Sequence, residues 1–511
     1  MTPFNAAEYL IDRQTAAGHG SRLAIRYRGE SITYGDLAQR VRAAVSGLRG
    51  LGVRPEERVV MVLLDSPEFI ATFLGAMRIG AIPVPLNPLL PGRDLGLIAA
   101  DTRARVAVVS AERAELALPG LVEGASELHD IVVTGEANVP YTHAWSEFMT
   151  RDIESQAYET WEDSPGFWLC TSGTTGRPKL AMHRHIDLRT IAEGYARAVL
   201  EITPDDRFYS VAPLFHAYGL GNSLAFPLSV GATTILEPTR PPAPALVAGV
   251  LSAEQPTLFF SVPTSYGALL AAELPSDTFR SVRRAASAGE SLPPEFFTRF
   301  RERFGVEILD GIGSTELTHI FISNRPGAAR PGSSGVPVGG YTVELRDDAG
   351  TALPPGSSGH LFVRGETAAT GYWCKPEASR ATFRGDWLST GDMYASSEDG
   401  FYSYLGRSDD MMKVGGEWVS PAEVEDVLLQ YPGILEAAVV GETTPEGLIH
   451  PVAYIVATPG ATLNEAAVIA HCRERLAGFK RPRRLVLATA LPKTATGKIQ
   501  RAELRRSLAT E

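Results

Sequence analysis

Cysteine is scarce in this chain. There are three among 511 residues, Cys170, Cys374 and Cys472, an odd number with no C-x-x-C pair. Such a set gives no basis for a disulfide framework or a zinc site and fits a reducing, cytoplasmic setting. Positive charge is also short. Lys and Arg number 48 against 59 Asp and Glu, a formal net charge of −11, which argues against a nucleic-acid binder with its basic face. The amino terminus, MTPFNAAEYLIDRQ, lacks a basic stretch followed by an apolar one, so no signal peptide is expected. One long, almost uncharged run, Phe208 to Glu237, invites reading as a membrane helix. Pro213, His216, Gly219, Asn222 and Pro227 interrupt it, and strand, helix, strand inside a buried α/β core is the better expectation. No fixed-period repeat and no low-complexity tract is present.

What remains is the balance of a globular protein, 44% hydrophobic and 21% charged. The length exceeds a single ordinary core, so two or more domains are expected. The first four-fifths alternates β-rich runs with helical patterns: RVVMVLL (58–64), a helix over 66–80, AIPVP (81–85), ATTILEP (232–238), TLFFSVP (257–263) and VEILDGIGSTE (306–316). This predicts an α/β fold of mostly parallel sheets flanked by helices, with ligands held in loops beyond the carboxyl ends of strands. From about 335 to 405 the segments become short, turn-punctuated and β-like, as in a small barrel or meander. A hinge is placed after Arg407, dividing the chain into 1–407 and a small α+β C-terminal domain, 408–511. Its expected elements are a hairpin, a helix (421–430), strands (434–441, 450–457), a helix (463–476), a strand (484–490) and a last helix near 498–508.

Four stretches carry chemistry. TSGTTGRPK, Thr171 to Lys179, packs four hydroxyls, two glycines and two cations into nine residues. It is not a G-x-x-x-x-G-K-[ST] loop. Yet Gly173 and Gly176 let the backbone approach an anion, Thr171, Ser172, Thr174 and Thr175 offer hydroxyls, and Lys179 adds a point charge. A polar surface turn is the alternative, but this density of donors beside cations is more than a turn requires. Cys170, just before the loop, is either a reactive thiol or a small apolar residue closing a strand, the commoner use. GIGSTE, Gly311 to Glu316, puts a carboxylate beside hydroxyls at a strand end. That suits Mg²⁺ arriving with phosphates, or simply the start of a helix. STGDMY (389–394) with GRSDDMMKVGGEW offers Asp392 and Arg407 to ribose or phosphate, or a solvated linker. LPKTATGKIQR places Lys498 near a helix start, where the dipole disfavours a cation.

In this order and over nearly the whole length, TSGTTGRPK, GSTE, STGD, GRSDD and PKTATGK resemble the ordered signatures of the acyl-adenylate-forming superfamily of acyl- and aryl-CoA synthetases, adenylation domains and luciferases. The resemblance implies a two-step ligase. A carboxylate attacks the α-phosphorus of ATP, giving acyl-AMP and pyrophosphate, and a thiol then takes the acyl group from AMP. It implies that Lys498 bridges carboxylate and α-phosphate, that Thr315 contacts the α-phosphate and that Glu316 holds Mg²⁺. Asp392 and Arg407 would hold the ribose. Ser287, Ala288, Gly289 and Glu290 with Asp310, Gly311, Ile312 and Gly313 would form the adenine slot. Ile312 stands where the commoner pattern has tyrosine.

For the second step the C-terminal domain would swing on a hinge at Asp409. That would bring Lys413 and Gly415-Gly416-Glu417-Trp418 to the site, with Phe479 and Arg481 meeting the CoA nucleotide. PLFHAYGLGN (213–222) and DGIGSTELTHIFISN (310–324) resemble benzoate-type CoA ligases. Ala217, Tyr218, Gly219, His319 and Ile320 would then line an aryl pocket with His216 by the thiol path. The resemblance implies ATP, CoA and a small aromatic acid (benzoate, hydroxybenzoate or anthranilate) as substrates, no membrane or nucleic-acid partner, and a homodimer. A carrier protein in trans is the alternative thiol acceptor.

Overall fold

Alternating strand and helix patterns become two parallel sheets because each buried β run is followed by a helix that can cover it. The computed structural model describes residues 2–135, 142–149, 156–171, 178–414, 417–443, 449–493 and 499–508. One sheet is five-stranded and parallel, in the order Ile82–Pro85, Arg58–Val62, Val106–Ser110, Asp130–Thr134, Thr142–Ala144. Its Val-rich strands are buried on both faces, as parallel strands must be. The helix Pro67–Arg78 starts where expected: Ser66 caps Phe69 N and proline occupies the first turn.

The second sheet has nine strands. Its parallel centre runs Ile308–Gly313, Arg284–Ser287, Leu258–Ser261, Arg207–Ser210, Thr233–Leu236 and Leu23–Tyr27. The uncharged run is strand, helical segment and strand, as expected: Arg207–Ser210, residues 217–230, and Thr233–Leu236. Among the described residues no helix is long and apolar enough to cross a membrane.

One placement differs from expectation. The strand Pro165–Thr171 does not belong to a parallel sheet. It pairs antiparallel with Lys179–Arg184 in a two-stranded ribbon. The TSGTTG segment therefore joins a hairpin rather than a strand and its crossover helix. GIGSTE keeps the expected place only in part. Ile308–Gly313 is parallel to Arg284–Ser287 up to Asp310, then pairs antiparallel with Ile320–Ser323.

Residues 341–407 form a curled antiparallel sheet of Tyr341–Arg346, Ser358–Gly365, Trp387–Ser396, Phe383–Arg384 and Tyr402–Arg407. Beyond it lies a C-terminal domain with sheets of its own. A hairpin, Met412–Val414 with Glu417–Val419, precedes a three-stranded sheet, Ile434–Thr443, Ile449–Ala457 and Arg484–Ala488. The helices Pro421–Leu429, Glu465–Arg475 and Arg501–Leu508 pack on it. Its core is separate: Met412, Val424, Leu428, Val439, Ile455 and Cys472 cluster together.

Candidate active site

A cavity of about 1250 Å³ opens where the loops of the large domain meet the C-terminal domain. That is more than one small ligand needs. One region of its wall is polar. Thr171 and Lys179 flank the hairpin loop, and Thr315, Glu316, Asp392 and Arg407 complete the rim. Ser172, Gly173, Thr174, Thr175 and Gly176 of the loop itself lie outside the described residues, as do Gly415, Gly416 and Lys498; of Trp418 only the backbone is described.

Thr315 and Glu316 sit on a single 3-10 turn, Thr315–Leu317, preceded by Ser314. Ser314 makes no side-chain cap there, and its buried hydroxyl has no partner among the described groups. A helix-start role for this stretch is therefore not what the geometry builds. The turn is gripped from two sides instead. Below it, His183 Nε2 donates to Thr315 O at 2.8 Å, while Nδ1 lies 3.2 Å from Asp187 Oδ2 and 3.0 Å from Thr318 Oγ1. His183 and Asp187 are fully buried, and Thr318 adopts φ 66°, a strained value for a β-branched residue. Above the turn, Ala369 N donates to Glu316 O at 2.8 Å, and the Tyr372 hydroxyl donates to Glu316 Oε1 at 2.7 Å.

Asp392 and Arg407 face each other across two antiparallel strands, with Arg407 donating to Asp392 Oδ1 at 2.9 Å and to Thr390 O at 2.8 Å. Gly391 is at φ 74°, and a Cβ there would stand 2.8 Å from the guanidinium. Glycine thus makes room for the arginine. Ala288, Gly289, Glu290, Gly311, Ile312 and Gly313 line the cavity between these groups. Ser287 and Asp310 do not. They are paired neighbours on adjacent strands beneath it, and burial pushes the Asp310 carboxyl well up.

Elsewhere the wall is largely apolar and buried, with Ala217, Tyr218, His319 and Ile320 on it and His216 beside them. His319 Nε2 faces two acceptors, Tyr218 O and Asn222 Oδ1, each at 3.2 Å, so this nitrogen carries the proton. Burial pushes the imidazole down to about 3. It is therefore neutral, and its buried Nδ1, an acceptor, has no described partner. Gly219 is not on the lining. It packs on the preceding loop, where a Cβ would lie 2.0 Å from Pro213 O. That loop is tied down by a buried pair: Asp65 accepts from Leu214 N at 3.0 Å and from Arg240.

The C-terminal domain contributes Asp410, Glu425, Asp426, Glu436 and Arg501 to the wall. Arg501 bonds both Glu425 oxygens, at 2.8 and 2.7 Å, and Arg505 pairs with Asp410 at 2.7 Å. Lys493 pairs with Glu436 at 2.6 Å. Asp409, Lys413 and Glu417 are exposed and off the cavity. Phe479 packs against the C-terminal core, and Arg481 is bonded to Leu476 O and Arg473 O. Among the described residues, Lys413, Glu417, Phe479 and Arg481, expected to meet CoA, thus lie off the cavity that the ATP residues line. Cys170 lines the cavity, and burial pushes its thiol up to about 12, the reverse of a reactive thiol. Sequence reasoning missed Tyr372, Glu425 and Asp410. Each acts through a partner far away in the chain; Asp410 and Arg501 sat inside quoted motifs, GRSDD and LPKTATGKIQR, but without their partners.

Residues 12–373 match the family described as AMP-binding enzyme, and residues 423–498 its C-terminal domain. A benzoate–CoA ligase of Thauera aromatica is 45% identical over 508 residues, 98% of this chain and 96% of that protein. The crystal structure of the anthranilate CoA ligase AuaEII in complex with anthranoyl-AMP superposes with TM-score 0.96 at 39% identity, covering 100% of this chain and 98% of that one. A benzoate CoA ligase from Burkholderia xenovorans LB400 gives TM-score 0.91 at 42% identity, over 98% and 100%.

Proposed function

This chain belongs to the family of AMP-binding enzymes, and we propose that within it the chain is an ATP-dependent aryl-CoA ligase acting on a benzoate-type acid. One observation carries the reading. A single cavity joins the polar rim of Thr171, Lys179, Thr315, Glu316, Asp392 and Arg407 to the apolar wall of Ala217, Tyr218, His319 and Ile320. The near full-length likeness to benzoate and anthranilate ligases supports the same substrate class.

In the first half-reaction the aryl carboxylate attacks the α-phosphorus and pyrophosphate leaves. Two anions must meet, so cations have to offset the developing charge. Lys498 and Lys179 are the protein's cations for this, Thr315 contacts the α-phosphate, and Asp392 and Arg407 hold the ribose. Mg²⁺ fits the Glu316 side of the cavity: it takes oxygen ligands, keeps several from water and phosphate, and needs few from protein. Glu316 supplies a carboxylate, and Ser314 on the same lining a hydroxyl with no partner among the described residues. When bound, the ion would neutralise phosphate charge. In the second half-reaction a thiolate attacks the acyl carbon and AMP leaves. For that step the division at about 407/408 serves as a hinge at Asp409, bringing Lys413 and residues 415–418 in and Lys498 out. The separate sheets and core of the C-terminal domain support such a division.

The test is thioester formation with ATP, Mg²⁺ and CoA against benzoate, the hydroxybenzoates, anthranilate, cinnamate, hexanoate and acetate, read by mass. Aryl-CoA from one or a few benzoates is expected. Aryl-AMP without thioester would move the acceptor to a carrier protein, and thioester from hexanoate alone would overturn the aryl assignment. Lys498→Ala should lose acyl-AMP formation yet still form thioester from supplied acyl-AMP. Equal loss of both would contradict the two-conformation scheme.

A further inference from the structure

Tyr372 lies in none of the motifs that carry the functional reading, yet it sits where two of them meet. Residues 369–373 run along the loop-bearing ribbon. Thr370 N donates to Met182 O at 2.8 Å, Met182 N to Gly371 O at 3.0 Å and Trp373 N to Leu180 O at 2.9 Å. The same segment reaches the Glu316 turn through Ala369 N. The Tyr372 side chain is 5% exposed and lines the cavity. Its hydroxyl donates to Glu316 Oε1 at 2.7 Å, and the Lys179 ammonium stands 4.6 Å from its ring centre. One ring therefore holds Lys179, the lysine that ends TSGTTGRPK, on its face and the carboxylate of GSTE at its edge.

This arrangement has a physical use. A glutamate side chain is rich in rotamers, and fixing it costs conformational freedom when a ligand must do so. A hydroxyl bonded to Oε1 settles that rotamer in advance and directs the other oxygen to a metal. The ring face attracts an ammonium through its quadrupole, most strongly where water is excluded. Lys179 and Glu316 are of opposite charge and would pair directly if nothing separated them. Tyr372 holds both while keeping both available.

We propose that Tyr372 is a positioning residue that presents Glu316 to the metal of the nucleotide and Lys179 to its phosphates. This rests on the reading of Glu316 as the metal-binding carboxylate. Its two roles separate by substitution, because Tyr372→Phe removes the hydroxyl and keeps the ring, whereas Tyr372→Leu removes both.

The test measures Mn²⁺ binding by electron paramagnetic resonance in the presence of a non-hydrolysable ATP analogue, together with the Mg²⁺ and ATP dependence of aryl-AMP formation. For Tyr372→Phe, Mn²⁺ affinity and the Mg²⁺ requirement should weaken about tenfold, the size of a hydrogen bond to a charged group. Its rate at saturating Mg²⁺ and its metal-free ATP affinity should stay near those of the parent. Tyr372→Leu should in addition weaken metal-free ATP binding. Tyr372→Phe added to Glu316→Gln should cost no more metal affinity than Glu316→Gln alone. An unchanged Mn²⁺ affinity in Tyr372→Phe, or additive losses in the double variant, would overturn the inference while leaving Glu316 as the metal residue. An unchanged Mn²⁺ affinity in Glu316→Gln would overturn that reading and the inference with it.

Discussion

The two walls of the cavity hold their charges differently. Behind the aryl wall, Asp65 and Arg240, which anchor the loop before His216, are 3% and 7% exposed, and the His319 imidazole on that wall is kept neutral by burial. On the C-terminal side, Glu425 and Arg501 are 11% and 22% exposed, and Asp410 and Arg505 are 16% and 37% exposed. Burial raises both the attraction within a pair and the penalty for breaking it, while water and salt weaken exposed pairs. The aryl side of the large domain is thus built to keep one shape. The C-terminal wall is held by contacts that ions and protons can loosen, as the proposed hinge would require.

Arg240→Ala should show the largest effect. It strands the buried Asp65 carboxylate, so unfolding stability should fall by about 3–5 kcal/mol. Leu214 would lose a fixed anchor, and the KM for the aryl acid should rise more than that for ATP. Denaturant titration and initial rates measure both. Arg501→Ala breaks a more exposed pair and should cost less, about 1–3 kcal/mol. If the two losses prove equal, the contrast between the walls fails.

Next in size is a pH effect confined to the C-terminal wall. Burial, with Glu425 and Glu423 nearby, raises the Asp426 carboxyl from 3.8 to about 7. The folded chain therefore holds a proton that the unfolded chain releases. The stabilisation is complete below 3.8 and is lost as pH rises through about 7. Asp426→Asn should raise Tm above neutrality and leave it nearly unchanged in acid. A parallel shift of Tm at every pH would rule out titration as the cause.

Much of this arrangement was legible in the sequence. Apolar runs followed by amphipathic ones announce parallel strands with covering helices, and most expected elements lie within a few residues of their places, as at 67–78 and 434–443. The ribbon of Pro165–Thr171 with Lys179–Arg184 was not legible, because a short apolar strand carries no sign of its partner's direction. Asp392 and Arg407 could be named from their motifs, but not their pairing across Gly391. Tyr372 with Glu316, Asp65 with Arg240 and Arg501 with Glu425 were hidden for one reason: each joins positions at least 56 residues apart, and local pattern is blind to such contacts.

A smaller effect tests the neutrality of the aryl wall. His319 is lowered from 6.5 to about 3, so the unfolded chain takes a proton that the folded chain refuses. Its stabilisation is present above 6.5 and is lost as pH falls toward about 3, opposite in sign to that of Asp426. His319→Gln should flatten the acid limb of the stability curve, once the loss common to all pH values is subtracted. The KM for the aryl acid in the parent should show no titration at the ordinary histidine value. A titration there, absent in His319→Gln, would mean that the wall carries charge.

The smallest effect belongs to Arg505 and Asp410, the most exposed of the three pairs. A pair of this kind contributes about 0.2–1 kcal/mol, too little to register against global stability. It lies beside the proposed hinge, however, where it biases the domain arrangement rather than the fold. The chain superposes over its full length on an anthranilate CoA ligase in complex with anthranoyl-AMP; on the proposed two-arrangement scheme the contact would then favour the adenylate-forming half. Salt screens an exposed pair within roughly a Debye length. Raising salt should therefore slow aryl-AMP formation by up to about fivefold, the factor that ~1 kcal/mol allows. Thioester formation from supplied aryl-AMP should be spared. Arg505→Ala should reproduce the slowing at low salt and abolish further response to salt. If salt slows both halves alike in Arg505→Ala and the parent, this pair does not set the balance between the two arrangements.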